Sequence, residues 1–241
     1  MKHLKDSAKQ SKLILFQRKQ SLWLLPYLKQ GEQKMQIPIF PLALVVFPNS
    51  KYPLHIFEER YKILINKCLA NNSGFGIVSR IGDTISEAGV YVEVADVTKI
   101  YESGELDIVV AGKWRFKRMN LDMHPDGYYL SDVNKVSDQD AEADLNYNLF
   151  FALKQRVQEM LKLVNFNVNQ GFWDNLEKAN LKSFKIAEKA GLSILQQQEL
   201  LTIQSENKRM SYLLEHFEKL EEKLEENRAM REIILGDGYL N

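Results

Sequence analysis

The sequence predicts an α+β fold: a mostly-β pseudo-barrel with one internal helix, followed by a C-terminal α-helical bundle ending in a long helix. Three observations predict it. Apolar residues alternate with polar ones in several short runs between residue 35 and about residue 134. A single run with three- and four-residue spacing interrupts them at Phe57–Cys68. After Ser137-Asp138-Gln139-Asp140 the apolar period becomes helical and stays so.

The elements follow in order from Met35. Ile37-Pro38-Ile39-Phe40-Pro41-Leu42 and Val45-Val46-Phe47-Pro48 are extended apolar runs broken by prolines. Proline fixes φ and donates no backbone hydrogen bond, so these runs are expected as edge strands or strand ends. Asn49-Ser50 makes a turn, and Tyr52-Pro53-Leu54-His55-Ile56 resumes the extended course. Phe57, Tyr61, Leu64, Ile65 and Cys68 then share one face of a helix. Glu58 and Glu59 near its start and Lys67 near its end suit the helix dipole, and Asn71-Asn72-Ser73-Gly74 stops it. Cys68 falls on the apolar stripe, which favours a buried thiol over a reactive one.

Phe75-Gly76-Ile77-Val78 is a short apolar strand. Val90, Val92 and Val94 alternate with Tyr91, Glu93 and Ala95, and Leu106, Ile108 and Val110 alternate beyond the turn Glu102-Ser103-Gly104-Glu105. That pair reads as a hairpin. Trp114 and Phe116 are expected on a further aromatic-rich strand. His124-Pro125-Asp126-Gly127 is a turn before Tyr128-Tyr129-Leu130 and Val133. Seven or more short strands around one helix suggest a compact barrel.

In the C-terminal part, Leu149, Leu153, Val157, Met160, Leu161 and Val164 mark one amphipathic helix. Phe172 to about Ala190 reads as a second helical region, with Gly191 as terminator and Ser193 as the next N-cap. A short helix is expected over about 194–201, and a long one from near Ser205 with Glu206 in its first turn. Met210, Leu213, Phe217, Leu220 and Leu224 alternate three- and four-residue steps. Two and a half heptads favour packing within a bundle over a free zipper, and the Glu/Lys stretch 218–226 reads as its solvated face. The expected division is a basic, poorly ordered leader at 1–34, a β domain at 35–137, a helical region at 138–235 and a tail at 236–241.

Composition excludes several classes of function. Lys+Arg and Asp+Glu both number 32, a balance that argues against a dedicated DNA or RNA binder, which needs excess cations to displace counterions. One cysteine excludes an internal disulfide framework or a multi-cysteine zinc site. No stretch approaches a membrane span, so a cytoplasmic protein is expected. The leader differs from the rest: eight basic residues against Asp6 and Glu32 leave it at +6, so the remaining 207 residues sum to −6. Its apolar patches, Leu13–Phe16 and Leu22–Leu25, are split by Gln17-Arg18-Lys19-Gln20 and form no signal-peptide core. Lying on an anionic membrane surface is one alternative for the leader, and a natural start at Met35 is another.

With the elements placed, a family likeness emerges. Ile37–Leu42, Val46-Phe47-Pro48 and Pro53-Leu54-His55-Ile56-Phe57-Glu58-Glu59-Arg60-Tyr61 resemble the opening of the Lon protease N-terminal (substrate-binding) domain. The likeness is nearest to the stand-alone bacterial version and to the Lon-like domain of cereblon. Asp107-Ile108-Val109-Val110-Ala111-Gly112-Lys113-Trp114-Arg115-Phe116 resembles that family's strand–glycine–basic–aromatic segment. Ser183-Phe184-Lys185-Ile186-Ala187 and the last helix resemble its C-terminal helices. The resemblance implies a PUA-like pseudo-barrel followed by helices, recognition of unfolded or partner protein segments, and a role as an adaptor in protein quality control. It implies no catalysis: Gly112-Lys113 is followed by Trp114 and lacks the upstream glycine of a G-x-x-x-x-G-K-[ST] phosphate loop. The chain also ends before a Ser–Lys peptidase could fit. No cofactor or metal is expected, and the alternative function is an RNA-binding PUA-like protein.

Six residues are candidates for peptide contact: His55, Phe57, Glu58, Arg60, Trp114 and Arg115. Each also has a structural reading, which is favoured. Leu54, Ile56 and Phe57 are expected in the core, and His55 as a hydrogen-bonded structural histidine. Glu58, Glu59 and Arg60 are expected as capping and surface charges. Alternation puts Trp114 and Phe116 on one face, in the core, and Arg115 on the other; solvent-facing aromatics would instead be anchors for a bound chain. Asp122, His124 and Asp126 sit in a Pro-Asp-Gly turn, which favours a plain loop over a metal site. No spacing marks a Ser–Lys dyad or a triad.

Overall fold

The long hairpin at the centre of the chain organises the fold. In the computed structural model, which describes residues 35–139 and 144–236 (side chains to residue 226 in the last helix), seven strands form one sheet. They are β1 (Met35–Leu42), β2 (Lys51–Ile56), β3 (Phe75–Ile81), β4 (Thr84–Ile100), β5 (Leu106–Arg118), β6 (Asp122–Met123) and β7 (Tyr129–Val136). The order is β2-β5-β4-β3-β1-β7-β6, and an added β5–β7 pairing joins five of them into a closed, barrel-like ring. The expectations for the leader and for residues 237–241 lie outside the described residues.

The sheet closes because β5 changes partners along its length. Leu106–Ala111 pair with β2, whereas Arg115–Arg118 pair with β7. The change falls at Gly112. A β-carbon there would lie 2.2 Å from the Phe47 carbonyl oxygen, and the Gly112 amide donates to the Ser50 carbonyl at 2.9 Å. Only glycine lets the loop 47–50 seat against this corner. The residues expected as a separate aromatic strand, Trp114 and Phe116, therefore continue β5. Strands β4 and β5 are long, with 17 and 13 residues, because one hairpin spans both the ring and the three-stranded extension β2-β5-β4.

Proline placement departs from the edge-strand expectation. β1 lies inside the ring, antiparallel to β7 and parallel to β3. Its two pairings are staggered: Met35–Ile39 face β7 and Ile39–Leu42 face β3. Pro38 sits in the first stretch and Pro41 in the second. Each proline thus lies where one side alone is laddered, and its missing N–H interrupts nothing. Val45-Val46-Phe47 are buried but belong to a loop, not a strand.

Helix α1 (Glu59–Ala70) buries Tyr61, Leu64, Ile65 and Cys68, the stripe read from the spacing. Its C-terminal Asn71 amide donates to the Lys67 carbonyl at 3.1 Å. Five helices follow: α2 (Tyr147–Leu163), α3 (Gln170–Lys178), α4 (Lys182–Ala187), α5 (Ile194–Thr202) and α6 (Glu206–Gly236). The helical region read from Phe172 to about Ala190 consists of two helices, α3 and α4, and between them Lys182 turns back and donates to the carbonyls of Glu177 and Ala179 at the end of α3. Gly191 adopts positive φ, and Ser193 caps α5 in a capping box with Gln196. On α2 the buried residues are Phe150, Leu153, Val157 and Met160, while Val164 is exposed beyond the helix end.

One apolar cluster runs from Phe40, Phe47 and Val110 of the β part through α1 to Phe184, Leu200, Met210 and Phe217 of the helices. The division in sequence character near residue 138 is therefore not a division of the core. A smaller cluster, Ile37, Ile39, Val78, Phe116 and Val133, fills the space between β1, β3, β5 and β7.

Candidate functional site

The junction between barrel and helices is built on Arg115. The alternation along β5 holds, since Phe116 and Arg115 point to opposite faces, yet both are buried. Arg115 is 4% exposed. Its guanidinium donates to the carbonyls of Leu201 at 2.8 Å and Ile203 at 2.7 Å, and to the Asp138 carboxylate. Asp138 also accepts two bonds from Arg209, at 2.7 and 2.6 Å. Arg209 is fully buried, and bonds Glu206 at 2.6 Å and the Ser183 hydroxyl at 2.9 Å. Phe184 lies between these cations: its ring is 5.5 Å from the Arg115 guanidinium carbon, 4.4 Å from that of Arg209, and stacks on Phe47 at 5.2 Å.

Two guanidiniums face two carboxylates, so the cluster is neutral overall, and no buried side-chain polar atom among the described residues lacks a partner. Burial opposes ionisation of Asp138, but hydrogen bonds and charge from Arg209 and Arg115 outweigh it and hold the carboxyl below its ordinary range. Burial also lowers the Arg115 pKa, whereas the bonds to Asp138 and Glu206 overcome it at Arg209.

Spacing singled out Arg115 but missed its partners. Asp138 reads as a turn residue and Glu206 as a first-turn acid. The available signal was helical: Glu206, Arg209 and Met210 precede Leu213 at three- and four-residue steps, which places the charged pair on the inward face of α6.

Four other candidates gather at the β2–α1 corner. Phe57, expected in the core, is 61% exposed because it lies outside the helix, between the end of β2 and Glu59. His55 is exposed. Its Nδ1 is 2.6 Å from an Asp107 oxygen, and its ring packs near Phe57 and Tyr101, at 6.0 and 5.7 Å. The hydrogen bond expected of His55 is present, but at the surface. Asp107 is held below the usual carboxylate range by its bond to His55, then by that from the Tyr101 hydroxyl. Glu58 occupies the N-cap position of α1, but its side chain makes no cap bond and instead takes two bonds from Arg60, at 2.9 and 2.6 Å. The sixth candidate, Trp114, is half-buried, stacked on Tyr91 at 4.6 Å.

Beside Arg115 an open groove of about 360 Å³ runs between the barrel and α5. Ala88 and Val136 contribute accessible apolar surface over the buried Phe116 and Leu201, with Lys117, Gln198 and Thr202 among the polar lining. Gln198 ties the two walls together, donating to the Ala88 carbonyl at 3.0 Å and accepting from Ser79 at 2.7 Å. Such a groove can take an apolar side chain with polar groups around it. Among the described residues no three His, Cys, Asp or Glu side chains are grouped to hold a metal. In the turn read as a loop, Asp126 pairs with Lys67 and Asp122 accepts from Asn120.

The fold recurs in solved structures. A Lon N-terminal domain protein from Xanthomonas campestris matches with a TM-score of 0.59 at 24% identity, over 75% of this chain and 97% of that one. The N-terminal domain of a Mycobacterium avium complex Lon protease matches with a TM-score of 0.58 at 16% identity, over 76% of this chain and 98% of that one. The sequence model of the ATP-dependent protease La (Lon) substrate-binding domain matches residues 36–219, most of the chain and both the barrel and the helices. The chain therefore belongs to the Lon substrate-binding domain family.

Proposed function

We propose that this chain is a non-catalytic recognition module that holds extended segments of other proteins, acting as an adaptor in protein quality control. Membership of the substrate-binding family supports recognition. The groove between the barrel and α5, where apolar lining meets polar walls fixed by Gln198 and Arg115, supports this reading. Rigid walls reduce the ordering cost of binding. In this reading Arg115 contributes its stem to the groove floor while its charge is spent inside. Phe57 and His55, with Glu58 and Arg60 alongside, offer a second, exposed contact surface, and the Trp114 ring a lesser one.

The test is fluorescence anisotropy with a labelled, uncharged, extended peptide rich in Leu, Phe and Ser. It is expected to bind with weak salt dependence. Thr202→Trp, at an exposed rim position, is expected to fill the groove and weaken binding about tenfold with an unchanged circular dichroism spectrum. Binding unaffected by Thr202→Trp would refute the groove. Absence of peptide binding, with steeply salt-dependent binding of an RNA oligomer instead, would refute the function.

A further inference from the structure

A second pair of clefts lies where the loop 48–51 meets α3 and α4, and its chemistry is opposite to that of the groove. One has a volume of about 570 Å³ and includes Lys51, Asn175, Lys178, Lys185 and Glu188 in its lining. The adjoining one, about 260 Å³, shares Lys51 and Glu188 and adds Lys189. Four ammonium groups thus surround one carboxylate. That carboxylate is already engaged, by the Ser50 hydroxyl on one oxygen and by Lys185 at 2.7 Å on the other. Glu177, the nearby acid of α3, is taken by Lys154. Lys51, Lys178 and Lys189 have no hydrogen-bonding or ionic side-chain partner among the described residues.

Elsewhere on the surface Lys62, Lys113, Lys117 and Lys219 each face a carboxylate, while Lys162 and Lys208, like the three cleft lysines, have no ionic partner among the described residues. Residues 35–241 carry a net charge of −6, so three unpaired cations gathered on two adjoining clefts run against the charge of that part of the chain. Like charges held together repel unless an anion neutralises them.

We propose that these clefts bind an acidic protein segment, rich in Asp or Glu, and so give the module a preference among its substrates. The proposal rests on the reading that the chain holds extended protein segments. Three features favour a peptide of several carboxylates. The cations are lysines, single point charges without the guanidinium fork that grips one phosphate bidentately. They are spread over two joined clefts, which suits acids repeated along an extended chain. The only rings in the lining are the buried Phe47 and the half-buried Tyr52, and neither offers an open face for stacking of nucleic-acid bases.

The test is anisotropy of a labelled oligo-glutamate peptide against the full chain and against the triple variant Lys51→Glu, Lys178→Glu, Lys189→Glu, all three at exposed positions. Wild type is expected to bind, with affinity falling as salt rises, and the triple variant to bind at least about tenfold more weakly. Lys219→Glu, on α6 and outside the lining of both clefts, is expected to bind as wild type does. The uncharged peptide is expected to bind both proteins equally. Equal binding of oligo-glutamate to wild type and triple variant, or none to either, would overturn the proposal. So would binding of an oligouridylate that the triple variant abolishes while oligo-glutamate is ignored. If the uncharged peptide still binds in these cases, the recognition reading stands and the acidic preference alone falls.

Discussion

Arg115 and Arg60 both lie in the segments that carry the family likeness, and both pair with carboxylates, yet they do opposite work. Arg60 lies on the surface beside Glu58, two residues away, with more than a third of its side chain in water. Arg115 is enclosed and joins carbonyls and a carboxylate from residues 138, 201 and 203. An ion pair at the surface is replaceable by solvent, whereas a buried cluster must be complete or it is costly. A charged residue in a recognisable motif is thus structural or available according to what closes over it.

The largest effect that would break this contrast is at Asp138. Asp138→Ala leaves Arg115 and Arg209 enclosed with Glu206 as their one carboxylate, and is expected to lower unfolding free energy by about 3–5 kcal/mol in urea titration. A loss below about 1 kcal/mol would show that the junction does not hold barrel and helices together.

Acid should act through the same residue. The Asp138 carboxyl titrates below its ordinary value in the folded state. Its stabilisation is therefore complete above the unfolded value of about 4 and is lost as pH falls through the lower folded value. Asp138→Asn is expected to remove that part of the acid limb in a pH series of urea midpoints. An unchanged limb would assign acid sensitivity to other carboxyls.

Trp114→Ala, which removes the ring stacked on Tyr91, is expected to cost about 2 kcal/mol, between the two extremes because the ring is half-buried. At the corner, Arg60→Ala and Phe57→Ser are each expected to shift stability by less than about 1 kcal/mol. A larger loss at either would mean that the β2–α1 corner is structural as well.

Much of the fold is legible in local pattern. The stripe Tyr61, Leu64, Ile65 and Cys68, the Gly104 turn of the β4–β5 hairpin and the Ser193 cap each depend on residues within a few positions of one another. Phe57 was not legible. Its spacing from Tyr61 fits the helical stripe, but the helix begins at Glu59, so the ring is left outside. β1 was not either, since the cost of a proline depends on which side of its strand is paired. The site was less legible than the fold. Arg115 could be named, but Asp138 and Arg209 are partners separated by 71 positions, and no spacing rule reaches that far.

By itself the sequence determined the order and kind of most elements, the inward face of most of them and the family likeness, because periodicity and turn chemistry are properties of neighbouring residues. Tertiary structure decided that β5 changes partners at Gly112, and that Arg115 is sealed while Phe57 is open. It also decided that three lysines, from β2, α3 and the turn after α4, line adjoining clefts without an ion-pair partner of their own among the described residues. These outcomes depend on which distant surfaces exclude water from a charge, and that is settled only when the barrel and the helices close on one core.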